Sequence, residues 1–177
     1  GYHSTGPAEF SVSFNKANGF QVTEGLGDAI VATAANGTVP YTYGWSSTLG
    51  ATYYTTLEGT FTILATAPIG SYTATVVATD SGVPAQGATN EIAFSVVAPA
   101  PKYAITITTN TPAQGTVTTT PATEAEAGQT VTVNATPADG FAVDTIVVNG
   151  GAVAVNGTTF AMPAGAAAVA VTFKVYD

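Results

Sequence analysis

Apolar and polar side chains alternate along short stretches of this chain. Phe10, Val12 and Phe14 are separated by Ser11 and Ser13, a period of two that puts the apolar set on one face of an extended strand. The same reading predicts strands at Gly19 to Thr23, Ala29 to Ala35, Tyr41 to Ser46, Thr60 to Leu64, Ser71 to Thr79 and Asn90 to Val97. Turn-rich Asn36-Gly37 and Asp80-Ser81-Gly82 break them, and no helical period appears, so this half is expected to form two packed sheets. Alternation resumes at Tyr103, Ile105 and Ile107, and continues at Gly115 to Thr119, Gln129 to Thr136, Phe141 to Val148, Thr158 to Met162 and Ala168 to Tyr176. In the last of these Val169, Val171, Phe173 and Val175 share one face.

The two halves meet at Ala98-Pro99-Ala100-Pro101. Alternating prolines fix φ and remove amide donors, which favours an extended, fairly stiff connector. The expected organisation is a flexible leader at 1–8, a first domain at 9–98, a linker at 99–102 and a second domain at 103–177. Each domain must assemble its core from Val, Ile, Phe, Tyr and Ala without disulfides, because the chain has no cysteine. The leader has neither a basic nor an apolar signal region, consistent with a mature chain or a piece of a longer one.

Particular blocks carry family resemblances. Gly70-Ser71-Tyr72-Thr73-Ala74-Thr75-Val76-Val77-Ala78-Thr79-Asp80 resembles the penultimate strand of bacterial immunoglobulin-like and PKD-like modules. Pro40-Tyr41-Thr42-Tyr43-Gly44-Trp45 is similar to their P-Y-x-Y-x-W strand, which would make Trp45 the central core residue. This resemblance covers Phe10 to Val97. In the second half, Gly115-Thr116-Val117, Ala127 to Val133, Ala135 to Phe141 and Phe160-Ala161-Met162-Pro163 occur in order and look like the bacterial repeat domain related to internalin B repeats. One departure is Ile146, where many members carry tryptophan. The resemblances imply an all-β chain, an immunoglobulin-like β-sandwich followed by a second small antiparallel β-module. They also imply tandem use on secreted or surface proteins as spacer or attachment elements, with no catalytic residues to carry over.

Charge narrows the range of partners. Only 8% of residues are charged and the net charge is -8, so phosphate backbones and anionic lipids are repelled and no basic patch offsets the repulsion. No apolar run approaches the roughly 20 residues that a membrane-spanning helix needs. Nucleic acid and membrane insertion are therefore not expected.

Candidate chemistry is thin. The single histidine, His3, sits beside Tyr2 and Ser4 in the leader without metal-binding or catalytic partners. Glu24, Asp28, Asp80 and Glu91 supply hard oxygen ligands, but their spacing matches no calcium loop, so they read as turn and surface carboxylates; Asp80 fits an Asx turn with Ser81-Gly82. Lys16, Lys102 and Lys174 invite a check for a Lys-Asn isopeptide bond, which needs an asparagine and a buried carboxylate on neighbouring strands. The sequons at Asn36, Asn134 and Asn156 read as turn or polar-face residues. No catalytic, cofactor or metal residue is expected.

Two binding possibilities remain. Tyr41, Tyr43 and Trp45 share a strand face and read as packing, whereas Tyr53 and Tyr54 fall in an expected loop, where exposed rings stack against a surface glycan. Phe10, Val12 and Phe14 form an edge-type strand that a neighbouring subunit could receive in filament assembly; the rival is pairing within the chain. The leading expectation is a non-catalytic extracellular or cell-surface spacer or adhesive module whose partners are domains of the same protein or neighbouring subunits. A self-assembling filament subunit and a carbohydrate-binding module are the alternatives.

Overall fold

Side chains that alternate between apolar and hydroxyl groups favour extended backbone, because burying one face of a strand leaves the other to water. The computed structural model describes residues 6–177. Among them are fifteen strands, three single-turn 3-10 segments and no α-helix. The chain divides into two compact units, Gly1–Pro99 and Ala100–Asp177.

The first unit contains β1 (Ser11–Phe14), β2 (Phe20–Thr23), β3 (Asp28–Ala35), β4 (Thr42–Ser47), β5 (Tyr54–Leu57), β6 (Thr60–Ile63), β7 (Gly70–Thr79) and β8 (Gly87–Val97). They form one sheet in the order β1-β3-β6-β5 and another in the order β2-β8-β7-β4. Ile30 and Phe61 of the first sheet join Ala74, Ile92 and Phe94 of the second in a single core, which makes the unit an immunoglobulin-like sandwich. Every neighbouring pair is antiparallel except β2 and β8, which run parallel from Phe20↔Phe94 to Thr23↔Val97.

Two expectations about this unit need correction. Trp45 is only half-buried; its indole donates from Nε1 to the Glu58 carbonyl at 3.0 Å, so it closes the core at one side. The centre is Phe61, fully buried, whose ring lies 4.4 Å from Tyr54, 5.4 Å from Trp45 and 6.4 Å from Phe94. The second correction is β5: the stretch expected to be a loop around Tyr54 pairs with β6 from Tyr54↔Ile63 to Leu57↔Thr60. Its sequence YTTL buries almost nothing, so the alternation that marks other strands is missing there.

The second unit contains β9 (Lys102–Thr109), β10 (Gly115–Thr120), β11 (Glu124–Glu126), β12 (Thr130–Pro137), β13 (Phe141–Val148), β14 (Thr159–Ala161) and β15 (Ala167–Val175). Three strands form a sheet in the order β10-β12-β14 and four in the order β11-β9-β15-β13. Val131 and Phe160 from the smaller sheet meet Ile105, Val148, Val169, Val171 and Phe173 from the larger. All pairs are antiparallel apart from β9 with β15, which is parallel. On β15 the predicted inward face holds for Val169, Val171 and Phe173 but not for Val175, which is 65% exposed at the strand end.

The resemblance motifs of the second half are explained by packing. A Cβ on Gly115 would stand 2.5 Å from the Phe173 ring and 2.9 Å from the Thr136 carbonyl, so only glycine fits between them. Gly128 adopts φ +82°, and its amide donates to Met162 O at 2.7 Å, while Met162 N donates to Gln129 O at 2.8 Å. Phe160 and Met162 are both buried. Ile146, where a tryptophan was the alternative, pairs with Val171 and packs against the same core.

Replacing Phe61 by Ala removes three ring contacts and opens a cavity, and is expected to cost about 3–5 kcal/mol. Urea unfolding followed by the emission of Trp45, the single tryptophan, reads this loss directly. Gly115→Ala overpacks the Phe173 ring and is expected to lower the stability of the second unit by about 1–3 kcal/mol, measured by circular dichroism.

Candidate functional site

The one buried carboxylate among the described residues is Asp80, which follows the last residue of β7 and is 5% exposed. Its Oδ1 accepts from Gln86 N at 2.7 Å and Gly82 N at 3.2 Å, and its Oδ2 accepts from Thr38 N at 3.0 Å. Ser81 reinforces the junction, donating from Oγ to Val39 O at 2.7 Å and from N to Thr38 O at 2.9 Å. Tyr41 donates from its hydroxyl to Gly37 O at 3.1 Å and accepts from Gly37 N at 3.3 Å. One carboxylate therefore fastens the loop after β3 to the loop after β7.

The bond to Gly82 is the expected Asx turn; the bond to Thr38 spans forty-two positions and leaves no local mark in the sequence. Amides of Gln86 and Thr38, then Gly82, hold the Asp80 carboxyl below its ordinary range, against the opposing effect of desolvation. With both oxygens occupied by backbone donors, Asp80 acts as a scaffold group. Val39 and Val83, on the two loops it joins, stand exposed.

Tyr53 and Tyr54 do not form an exposed loop pair. Tyr53 ends a 3-10 turn and both rings are half-buried against the core; Tyr54 stacks on Phe61 with planes 22° apart. One face of the Tyr54 ring is thereby taken, because β5 lays it over the sandwich edge. Tyr43 accepts from Ala34 N at 3.3 Å and Tyr72 donates to Pro68 O at 3.0 Å, so these two tyrosines also anchor backbone. A groove of about 450 Å³ beside Tyr72 and Phe94 is lined by Gly, Ser, Thr and Ala besides these rings, with no charged side chain.

Phe10, Val12 and Phe14 lie on or just before β1, which pairs with β3 of the same chain from Ser11↔Ala35 to Phe14↔Ala32. Val12 is buried, Phe10 packs 5.6 Å from Tyr41, and Phe14 packs 6.1 Å from Trp45. This is the intramolecular pairing that competes with strand donation.

The remaining charges are dispersed. Lys16 bonds Asp28 Oδ2 at 2.8 Å and stands 5.5 Å above the Phe20 ring. Partial burial raises the pKa of Asp28, but Lys16 and the Ala29 amide outweigh it and the net direction is down. Lys102 with Glu124 and Lys174 with Asp144 are exposed pairs at 4.0 and 3.9 Å, the kind that contributes about 0–1 kcal/mol. Each lysine thus faces a carboxylate, none of these contacts being to asparagine. Glu91 accepts from Thr75 Oγ1 at 3.2 Å, and Glu24 is exposed. No group of three His, Asp or Glu side chains clusters among the described residues, and His3 lies outside them. Of the sequon asparagines, Asn36 takes φ +66° in its turn, Asn134 donates to Thr120 Oγ1, and Asn156 forms a bridge with Thr159.

Residues 105–176 match a family described as the divergent InlB B-repeat domain. No curated protein sequence matches the chain. Among solved structures it is similar to protocadherin gamma B2 extracellular cadherin domains 3-6, at 13% identity and a TM-score of 0.42, covering 96% of this chain and 53% of that one. It is also similar to human CDH23 EC21-23, at 14% identity and a TM-score of 0.38, covering 93% and 63%. A third is the N-terminal four Ig domains of Dscam1 isoform 9.44 (with zinc), at 12% identity and a TM-score of 0.32, covering 94% and 46%. The chain spans about half the length of the first of these.

Because Asp80 binds its proton less tightly in the fold than when unfolded, its contribution is complete above the ordinary value of 3.8 and is lost as pH falls through the lower folded value. Thermal unfolding followed by Trp45 emission is expected to show a midpoint that declines from pH 5 toward pH 2. Asp80→Asn should flatten this decline, and Asp80→Ala, which strands three amides, should lower the midpoint by several degrees at neutral pH.

Proposed function

We propose, from the match of residues 105–176 to a repeat-domain family, that the chain is a non-catalytic structural module of a bacterial extracellular or surface protein, serving as spacer or attachment element. One observation carries this reading. The residues that make the family resemblance, Gly115, Gly128, Phe160 and Met162, are used to fold the unit: a close approach, a turn and two core side chains. A motif composed of folding residues specifies a scaffold, and a scaffold repeated in tandem is suited to holding other parts of a protein apart.

The first unit supports the same reading. Its aromatic rings fill the core or anchor loops, and Asp80 has both carboxylate oxygens bound to amides. Those groups stabilise the sandwich.

Light scattering coupled to size-exclusion chromatography over a wide concentration range tests the spacer reading, together with a glycan array. The expected result is a monomer at every concentration with no glycan bound. Polymers that disappear when residues 1–14 are deleted would replace it with strand donation by Phe10, Val12 and Phe14. A glycan lost on Tyr53→Ala, with unfolding unchanged, would replace it with carbohydrate binding; Tyr54→Ala is the poorer probe because that ring also stacks on Phe61.

A further inference from the structure

The first and last strands of the second unit lie side by side and point the same way. β9 and β15 are in register from Ile105↔Ala167 to Thr109↔Val171. Tension along the chain draws β9 toward its own beginning and β15 toward its own end. Parallel neighbours drawn in these opposite senses slide along a common axis, so all the hydrogen bonds between them are strained together. An antiparallel pair loaded at its adjacent ends would instead open one bond at a time.

Three features strengthen this ladder. First, Asn110 extends it past the last residue of β9: its amide donates to Val171 O at 3.4 Å, its Nδ2 donates to Phe173 O at 3.2 Å, and its Oδ1 accepts from Phe173 N at 3.0 Å. Second, β15 is paired on its other side with β13 from Val169 to Val175, so it is held on both edges and cannot swing away from β9, while β11 pairs with β9 just ahead of the clamped stretch, at Lys102–Ala104. Third, Ile105, Val169, Val171 and Phe173 are buried, so sliding drags them out of the core, and a slip of one residue turns each to the wrong face.

We propose that β9 and β15 form a tension-bearing clamp, which makes the second unit resistant to force applied along the chain. The proposal rests on the structural-module reading and adds the property that such a module needs under load. In the first unit the parallel pair β2 and β8 is a shorter relative of this arrangement, extended by bonds from Gly19 N to Ala93 O and from Glu24 N to Val97 O, but β2 is an edge strand.

Single-molecule pulling on the full chain tests the clamp. Because the chain has no cysteine, introduced cysteines give unique handles. Ala100→Cys with Asp177→Cys loads the outer ends of β9 and β15 and shears the pair. Asp139→Cys with Asp177→Cys loads the adjacent ends of β13 and β15, next to the Phe141↔Val175 pair, and peels them apart. The expected result is a rupture force several-fold higher in the first geometry, lowered there by Asn110→Ala and unchanged by it in the second. Equal forces in the two geometries would overturn the clamp, as would an Asn110→Ala effect of the same size in both, which marks a general loss of stability. Either result leaves the spacer reading standing, since that reading falls only by polymerisation or glycan binding in solution.

Discussion

Both units depend on one constraint: the central strands have a single dry face, and the faces must close on one another. With 8% of residues charged and no disulfide, there is little else to hold the chain. Phe61 and Phe94 fill the space between the sheets of the first unit, and Val131, Phe160, Val171 and Phe173 fill it in the second. Strand register follows from this burial, since moving any of these strands by one residue would exchange its core face for its solvent face. The tight fit of Gly115 against Phe173 belongs to the same constraint, because the sheets approach closely enough there to exclude a methyl group.

Burying strands obliges the protein to satisfy their polar backbone, and this chain does so largely with uncharged amides. Asn15 Oδ1 accepts from Val31 N and Asn18 Oδ1 accepts from Ala93 N, so the short turn between β1 and β2 passes from one sheet to the other without losing hydrogen bonds. Asn90 Nδ2 donates to Val12 O across the sandwich. In the second unit Asn149 donates to Ala166 O and accepts from Ala168 N, and Asn110 does the same for Phe173. An amide carries one donor group and one acceptor, as a peptide does, and so it completes a ladder where the main chain ends. Asp80 performs the task with charge where three amides converge on one point.

The legible parts of the fold were those with a strong local period. β1, β3, β7, β8 and β15 all show apolar residues at alternate positions, and hydrophobic burial requires that pattern wherever one face meets the core. β5 and β11 were illegible because both are short edge segments held by main-chain pairing: YTTL buries almost nothing, and in EAE a single small residue, Ala125, reaches the core, too little to show a period. The demotion of Trp45 had a different origin: nothing in P-Y-x-Y-x-W distinguishes a ring at the centre from one that caps the side and bonds a hairpin carbonyl. The parallel pairs β2–β8 and β9–β15 join residues more than sixty positions apart, and periodicity is silent about the direction of a distant partner. A separation of forty-two positions likewise hid the bond from Thr38 to Asp80. Tyr53 and Tyr54 looked like loop residues because their role comes from where β5 lands, against Phe61, and not from their neighbours in sequence.

The placement of the lysines has a consequence for proteolysis. Proteases that cut after basic residues need several residues around the lysine drawn out and threaded through a cleft. This chain offers them three lysines and no arginine. Lys102 opens β9 and Lys174 lies within β15, both committed to sheet pairing, while Lys16 is tied to Asp28 in a turn whose flanking asparagines are bonded to two strands. Cleavage at any of them requires the paired strand or the turn that holds it to open at least locally, so the rate of digestion at these sites is set by local opening as well as by surface accessibility. Scarcity of basic residues thus leaves proteases of this specificity three sites, each within paired or hydrogen-bonded structure.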